Sequence, residues 1–303
     1  MKIFRHILFI DINHDLCYNV NNTGRFNKYP IFKDKSTGKE GIFMRDISHI
    51  TTVGGLRAIE LHYRVIRHIA SGEASFLQAR TQLNTPGMGT LMPENFREIA
   101  DMSSQSTDLF LLELMQAIQA HQKFVAREVN FEWLALYMPV HYLQQIACDR
   151  ILMENCRKYE VMYNRLCFAL PGRLLLENDG IAARTIRILH GYGFHFMITG
   201  FGAQNCPVMR LTDFPVDYVM LSPELTYYLS RDNRAHNAVG AVVNFINEIG
   251  AVPIADGVAE SHQAEIFYEF GCPYCAGRLA GAYLPECDIR NKNTTSDENG
   301  ELM

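Results

Sequence analysis

Phe214-Pro-Val-Asp-Tyr-Val-Met-Leu-Ser222, followed by Val243-Asn-Phe-Ile-Asn-Glu-Ile-Gly-Ala-Val-Pro-Ile-Ala-Asp-Gly-Val258, decides the fold. The apolar run 216–221 reads as a strand. Apolar residues at three- and four-residue steps over 238–249 read as a helix that Gly250 stops, and 252–255 reads as the next strand. Outward from this unit the alternation repeats. Strand-like runs stand at 42–50, 56–63, 133–138, 166–170 and 194–199. Helical patterns stand at 93–122, 141–159, 179–190 and 261–270, and Gly191-Tyr192-Gly193 is a further helix stop. Strands that alternate with helices imply a largely parallel sheet covered on both faces, and seven or eight such units close most economically into an α/β, TIM-like (β/α)8 barrel.

Composition bounds the rest. The chain has 303 residues, 48% hydrophobic and 20% charged, which suits a globular protein with a large core. Lys and Arg number 28 against 33 Asp and Glu, a formal charge of -5, so neither blanket nucleic-acid binding nor attraction to an anionic membrane is expected. Eight cysteines are scattered without a framework, and the apolar run at 7–10 is cut by Asp11, too short for a leader. No segment approaches the roughly 20 apolar residues of a membrane span. A cytoplasmic protein is expected. Residues 1–41, with a strand at 7–12 and then rich in Asn, Thr, Gly and Lys, read as an N-terminal appendage with long loops. Residues 42–290 read as the barrel, and 291–303 as a polar tail.

Five segments carry a resemblance. The stretch 214–222 is similar to L-P-V-D-x-I-K-I-D, and the end of 243–258 to V-I-A-E-G-V-E. Phe270-Gly-Cys-Pro-Tyr-Cys-Ala-Gly277 is similar to F-G-C-x-x-x-Q-G, Ala58-Ile-Glu-Leu-His-Tyr-Arg64 to E-A-L-L-R, and Met92-Pro-Glu-Asn-Phe-Arg-Glu-Ile-Ala100 to P-x-x-F-I-x-x-A. In this order and spacing, over about residues 42–286, they resemble the EAL domain, the bacterial cyclic di-GMP phosphodiesterase barrel. In that family carboxylates and an Asn at the carboxyl ends of the strands hold two metal ions, which activate the attacking water.

Against that pattern Glu60, Arg64 and a shortened Asp256 read as a vestigial signature. The family Asn aligns with Tyr137, the first Glu of E-x-T-E with Cys167, and the D-D-F-G aspartates with Thr199 and Gly200. The retained Phe201-Gly202 fixes this register. The Lys that orients the water becomes Met220, the Asp two residues on becomes Ser222, the last Glu of A-E-G-V-E becomes Ala259, and the Gln becomes Ala276. Hard cations require oxygen ligands, and a mouth so lined supplies few, so the resemblance implies no bound metal, no cofactor, no catalytic residue and no hydrolysis.

Other constellations read as structural. Cys272-Pro-Tyr-Cys275 with Cys287 lacks a fourth zinc ligand, and is read as buried thiols. His62, His68, His121, His141, His190 and His195 form no i, i+4 pair and are read as isolated, Tyr227-Tyr228 as core and rim, Thr85-Pro-Gly-Met-Gly89 as a turn, and the stripe Phe96, Ile99, Leu112, Met115, Ile118 as barrel packing. The leading expectation is an inactive EAL-like regulator that binds another protein, such as a transcription factor or RNA-turnover machinery, in motility, biofilm or virulence control. A receptor that binds cyclic di-GMP without cleaving it is the first alternative, disfavoured because Met220, Ala259 and Ala276 remove polar contacts. A residual or novel phosphodiesterase is the second. The resemblance also implies a homodimer through helices at about 223–249.

Overall fold

The structure is a computed structural model. It describes residues 58–85, 88–176, 180–203 and 206–291 in full, and strand backbone at 9–11, 16–20, 26–30, 52–53 and 56–57. The chain divides into two compact units, one of Met1–Glu60 with Gln82–Phe96 and one of Leu61–Thr81 with Arg97–Met303.

In the first unit β1 (Phe9–Asp11), β2 (Leu16–Val20) and β3 (Phe26–Pro30) form an antiparallel meander, Phe9 opposite Tyr18 and Cys17 opposite Tyr29. The strand β1 falls within the strand expected at 7–12, whereas β2 and β3 lie in the stretch expected to be loop. The period-two pattern Leu16, Tyr18, Val20 is the signal for them, partly masked by the surrounding Asn residues. A two-residue pair, β4 (Thr52–Val53) and β5 (Leu56–Arg57), follows. The expected strand at 42–50 and all but the first residue of the polar tail lie outside the described residues.

The ring is built from β6 (Ile59–His68), β7 (Ala74–Thr85), β9 (Leu134–Tyr137), β10 (Leu166–Pro171), β11 (His195–Phe201), β12 (Tyr218–Leu221), β13 (Val252–Ala255) and β14 (Tyr274–Cys275), closed by the β6–β7 pairing. Two short strands flank it, β8 (Gly89–Leu91) beside the end of β7 and β15 (Leu284–Pro285) beside β6. From β7 round to β14 neighbouring strands are parallel, whereas β6 runs antiparallel to β14. The link 69–73 between β6 and β7 is too short for a crossover, which is why the first strand is reversed.

Around the ring lie α1 (Pro93–Ala100), α2 (Gln105–Ala126), α3 (Val140–Leu143), α4 (Cys148–Lys158), α5 (Gly180–Gly191), α6 (Pro223–Tyr228), α7 (Asn233–Glu248) and α8 (Ser261–Glu269). The single helical pattern at 93–122 is in fact two helices, because the Ser103 and Ser106 hydroxyls donate to backbone carbonyls of Ala100 and Ser103 and offer the chain a turn instead. Likewise 141–159 is broken at Ala147, whose φ is +61°. Ile99 is half exposed rather than packed.

Strand alternation sorts the side chains. Leu61, Tyr63, Leu77 and Ala79 join the core between sheet and helices, while Ile66, Phe76, Trp133, Ala135, Cys167, Ala169, Met197, Met220, Ile254 and Ala276 fill the lumen. Phe76 and Trp133 stack at 3.9 Å, with Tyr218 and Tyr274 packed against Phe76. The strand β7 has no uninterrupted apolar run to announce it, since its lumen face carries Gln78 and Arg80.

Two predictions follow from packing. Gly257 has φ +76°, and a Cβ there would lie 2.7 Å from Pro223 Cβ. Gly257→Val should therefore cost about 3 kcal/mol and lower the unfolding midpoint by roughly 10 °C in thermal denaturation. His121 is buried, its ring edge-on to Phe131 and its Nε2 3.5 Å from Arg165 Nε. Burial, then the Arg165 charge, lowers its pKa from 6.5 to about 4. Between those values the unfolded chain binds the extra proton, so stability falls as pH drops from 6.5 towards 4, by up to about 3 kcal/mol. In urea titrations His121→Gln should show a smaller loss over that window than the parent chain.

Candidate functional site

The carboxyl ends of the parallel strands form the mouth, and the sequence places its chemistry there one strand at a time. The strand β12 points Met220 inward, and the next residue but one, Ser222, accepts from the Glu224 amide (3.3 Å) to cap α6. After β13, Asp256 is held by its own backbone: its carbonyl accepts from the Thr226 hydroxyl (2.6 Å) and its Oδ1 from the Gly257 amide (2.7 Å).

Facing Asp256 is Arg64 of β6. Its Nη1 lies 2.9 Å from Oδ1 and its Nη2 2.9 Å from Oδ2, a two-pronged pair with both side chains largely buried. Arg64 Nε donates to Gln78 Oε1 (2.8 Å), which also accepts from the Tyr283 hydroxyl (3.1 Å). Met220 Sδ lies 3.8 Å from Arg64 Nη2 and 3.7 Å from Gln78 Nε2. Burial by itself would lower the guanidinium pKa, but Tyr283 and Asp256 outweigh it and hold Arg64 charged. Removing one partner of such a pair leaves a buried charge uncompensated, at a cost of about 3–5 kcal/mol.

A second network lies beside Tyr137, the last residue of β9. The Tyr137 hydroxyl donates to Asp101 Oδ2, and Arg173 pairs with the same oxygen. Burial, then Asp101, pushes the Tyr137 hydroxyl far up, so it stays a neutral donor. Arg97 lies 4.4 Å over the Tyr137 ring and pairs with Glu113 at 2.6 Å; the Thr81 hydroxyl donates to the same Glu113 oxygen at 2.6 Å. Glu113 is fully buried, and these contacts replace the water its oxygens have lost.

The remaining expected positions are occupied by groups turned to structural use. Cys167 does not reach the mouth: it is wholly buried level with Ala135 and with His195 at the start of β11, two residues short of the Ala169 that pairs with Tyr137, and burial holds its thiol well above the ordinary range. Thr199 donates its hydroxyl to the Leu170 carbonyl (3.1 Å), and Gly200 takes φ +70°. The Ala259 amide donates to Gln263 Oε1 (2.9 Å) at the start of α8, and Ala276 is buried with its amide on the Ala255 carbonyl (2.8 Å). Glu60 is the second residue of β6 and half-buried, four residues ahead of Arg64 and so roughly 13 Å along the strand from it. The structure thus brings Arg64, Asp256 and Met220 together. It adds Gln78, Tyr283, Asp101 and Arg173, which no local pattern singles out.

Cys272 and Cys275 are buried free thiols, Cys272 pushed up to about 12 by burial, and Cys287 is exposed. Among the described residues no three His, Cys, Asp or Glu side chains are grouped to hold a metal ion. Two of the histidines are not isolated: His190 Nε2 (3.2 Å) and His195 Nδ1 (3.5 Å) converge on Asp217 Oδ1. Residues 27 and 22 apart in sequence meet there, which no helical spacing encodes. Tyr227 is exposed and Tyr228 packs on the core. No helix among the described residues is long and apolar enough to cross a membrane.

Comparison with known proteins places this geometry. The EAL domain sequence family matches residues 55–282. The protein named cyclic di-GMP phosphodiesterase RocR, of Pseudomonas aeruginosa, is 22% identical over 209 residues, 67% of this chain and 52% of that protein. The signaling protein YkoW of Bacillus subtilis is 18% identical over 74% of this chain and 28% of that protein. The chain thus spans between about a quarter and a half of the curated relatives it matches. Among solved structures, the EAL enzyme Bd1971 with cAMP and cyclic di-GMP bound superposes with a TM-score of 0.70 at 15% identity, over 76% of this chain and 63% of that one. The FimX EAL domain from Pseudomonas aeruginosa bound to cyclic di-GMP gives 0.66 at 13% identity, over 75% and 91%. With the eight-stranded ring, its reversed first strand and a family match over most of its length, the chain belongs to the EAL-domain family, a fold related to the cyclic di-GMP phosphodiesterases.

Proposed function

We propose that this EAL-fold chain does not hydrolyse cyclic di-GMP and acts in the cytoplasm as a regulator by binding another protein. The observation that carries the proposal is the Arg64–Asp256 pair. The mouth carboxylate at the end of β13 is already neutralised on both oxygens by a guanidinium fixed through Gln78. Around it stand a thioether, a methyl group and a carboxamide, at Met220, Ala276 and Gln78. This donor set does not fit two hard divalent cations.

The position of the signature glutamate needs revision on the same ground. The side chain set between Arg64 and Met220 comes from β7, which is parallel to β9 and carries Gln78-Ala79-Arg80-Thr81-Gln82, with the Ala of E-A-L-L-R in place. We infer that Gln78 stands where the signature glutamate stood. Glu60 then has no ligand role and Arg64 no phosphate role; Arg64 is the partner of Asp256. On this reading Asp256 is the one acid left among the aligned positions, and it is engaged.

The scaffold around this mouth remains well packed, and an intact barrel that has lost its chemistry keeps surfaces for recognition. Binding of cyclic di-GMP without cleavage is the second reading, supported by the solved relatives that hold it on the same fold.

Incubation of the purified chain with cyclic di-GMP and Mg²⁺ or Mn²⁺ should yield no linear dinucleotide by chromatography, a deficit of at least about 10⁴-fold against an active relative. Glu60→Ala should change neither this result nor the recovery of a stoichiometric partner by affinity capture from the host. Metal-dependent turnover that disappears in Glu60→Ala or Asp256→Ala would overturn the proposal. Calorimetric binding of the nucleotide without turnover would favour the second reading.

A further inference from the structure

Four arginines converge near the mouth, and three have a carboxylate. Arg64 pairs with Asp256, Arg97 with Glu113 and Arg173 with Asp101. The fourth, Arg80, is on the lumen face of β7, two residues beyond Gln78. Its guanidinium lies 4.0 Å over the Tyr283 ring, the ring that Arg64 approaches at 4.8 Å. Among the described residues no carboxylate pairs with Arg80, and its Nε is shut off from water with no hydrogen-bond partner.

That arrangement is costly as it stands. A buried donor left unmade costs about 1–3 kcal/mol, and more when it carries charge. Two guanidinium groups lie beside one tyrosine, and among the described residues Asp256 is the one carboxylate paired with either, which leaves an excess of one positive charge where Arg64 is buried and the Arg80 Nε is out of water. The stack on Tyr283 holds the Arg80 plane, so its donors form a flat, preset array whose ordering cost is already met. A flat donor array of this kind takes a planar or tetrahedral oxyanion through parallel N–H···O bonds.

We propose that Arg80, oriented by Tyr283, is the anchor of an oxyanion-binding site at the barrel mouth, accepting a carboxylate or a phosphate group supplied either as a free anion or by an acidic segment of a protein partner. The anchor itself is none of the three residues read as the vestigial signature, and it does not depend on whether hydrolysis has been lost.

The test is calorimetry and thermal unfolding of the full chain with inorganic phosphate, glutarate or a hexaglutamate peptide, each against sodium chloride at matched ionic strength. At least one of the three should bind saturably and raise the midpoint above the chloride control. Arg80→Gln should weaken that binding tenfold or more, and Arg80→Lys, which keeps the charge without the flat array, should weaken it several-fold. Should Arg80→Gln fail to fold, the Lys variant and Tyr283→Leu, which removes the stack, serve as the test and must both bind more weakly. A preference for hexaglutamate over glutarate assigns the site to an acidic protein segment; a preference for phosphate assigns it to a phosphoryl group. No saturable binding by any of the three, or equal binding by the folded variants, would overturn the proposal.

Discussion

The interaction on which the mouth depends is the two-pronged contact between the Arg64 guanidinium and the Asp256 carboxylate, joining residues 192 apart in sequence. A carboxylate at the end of an inner strand, largely out of water, needs a cation. Here that cation is a side chain of the facing strand, held by an ion pair and two parallel hydrogen bonds. Once a guanidinium is fixed there, the surroundings need no longer be anionic, and a metal would bring charge into a place that already has it. Met220, Cys167 and Ala276 are then compatible with their positions. Each packs the lumen instead of binding an ion, and the neutral thiol of Cys167 follows from that burial.

The second network shows the same substitution of internal partners for external ones. Tyr137 and Arg173 satisfy one oxygen of Asp101, and Thr81 and Arg97 satisfy the fully buried Glu113. A ring hydroxyl that burial keeps protonated is a donor, not a metal ligand. Fixed pairs of this kind contribute to the shape of the mouth more than to reactivity, which suits a surface used for recognition. Arg80 departs from the pattern: among the described residues no carboxylate pairs with it.

The strands with continuous apolar runs, β9 to β13, were legible because parallel strands buried on both faces have little else they can be made of. Thr199, Gly200, Met220 and Asp256 could be placed because Phe201-Gly202 and the flanking strands fix their register. What could not be read is equally physical. The strand β7 alternates apolar residues with Gln78 and Arg80, so it lacks the apolar run by which the others are found. The segment Ala58–Arg64 resembles the signature by its order of residues, and the proposal that Gln78 of β7 stands in its place rests mainly on the tertiary contacts Gln78–Arg64 and Gln78–Met220. The pairing of His190 and His195 on Asp217, the break at Ala147 and the strands Leu16–Val20 and Phe26–Pro30 likewise depend on packing or on weak local signals.

The most direct measurement of the central claim is a titration of the full chain with Mn²⁺ followed by electron paramagnetic resonance, in which bound ion loses the sharp signal of the free aquo ion. With Asp256 already held by Arg64, the free-ion signal should rise in step with added Mn²⁺, as in a blank without protein. Stoichiometric loss of that signal, restored by Asp256→Asn, would show that the carboxylate still grips a metal and would contradict the account.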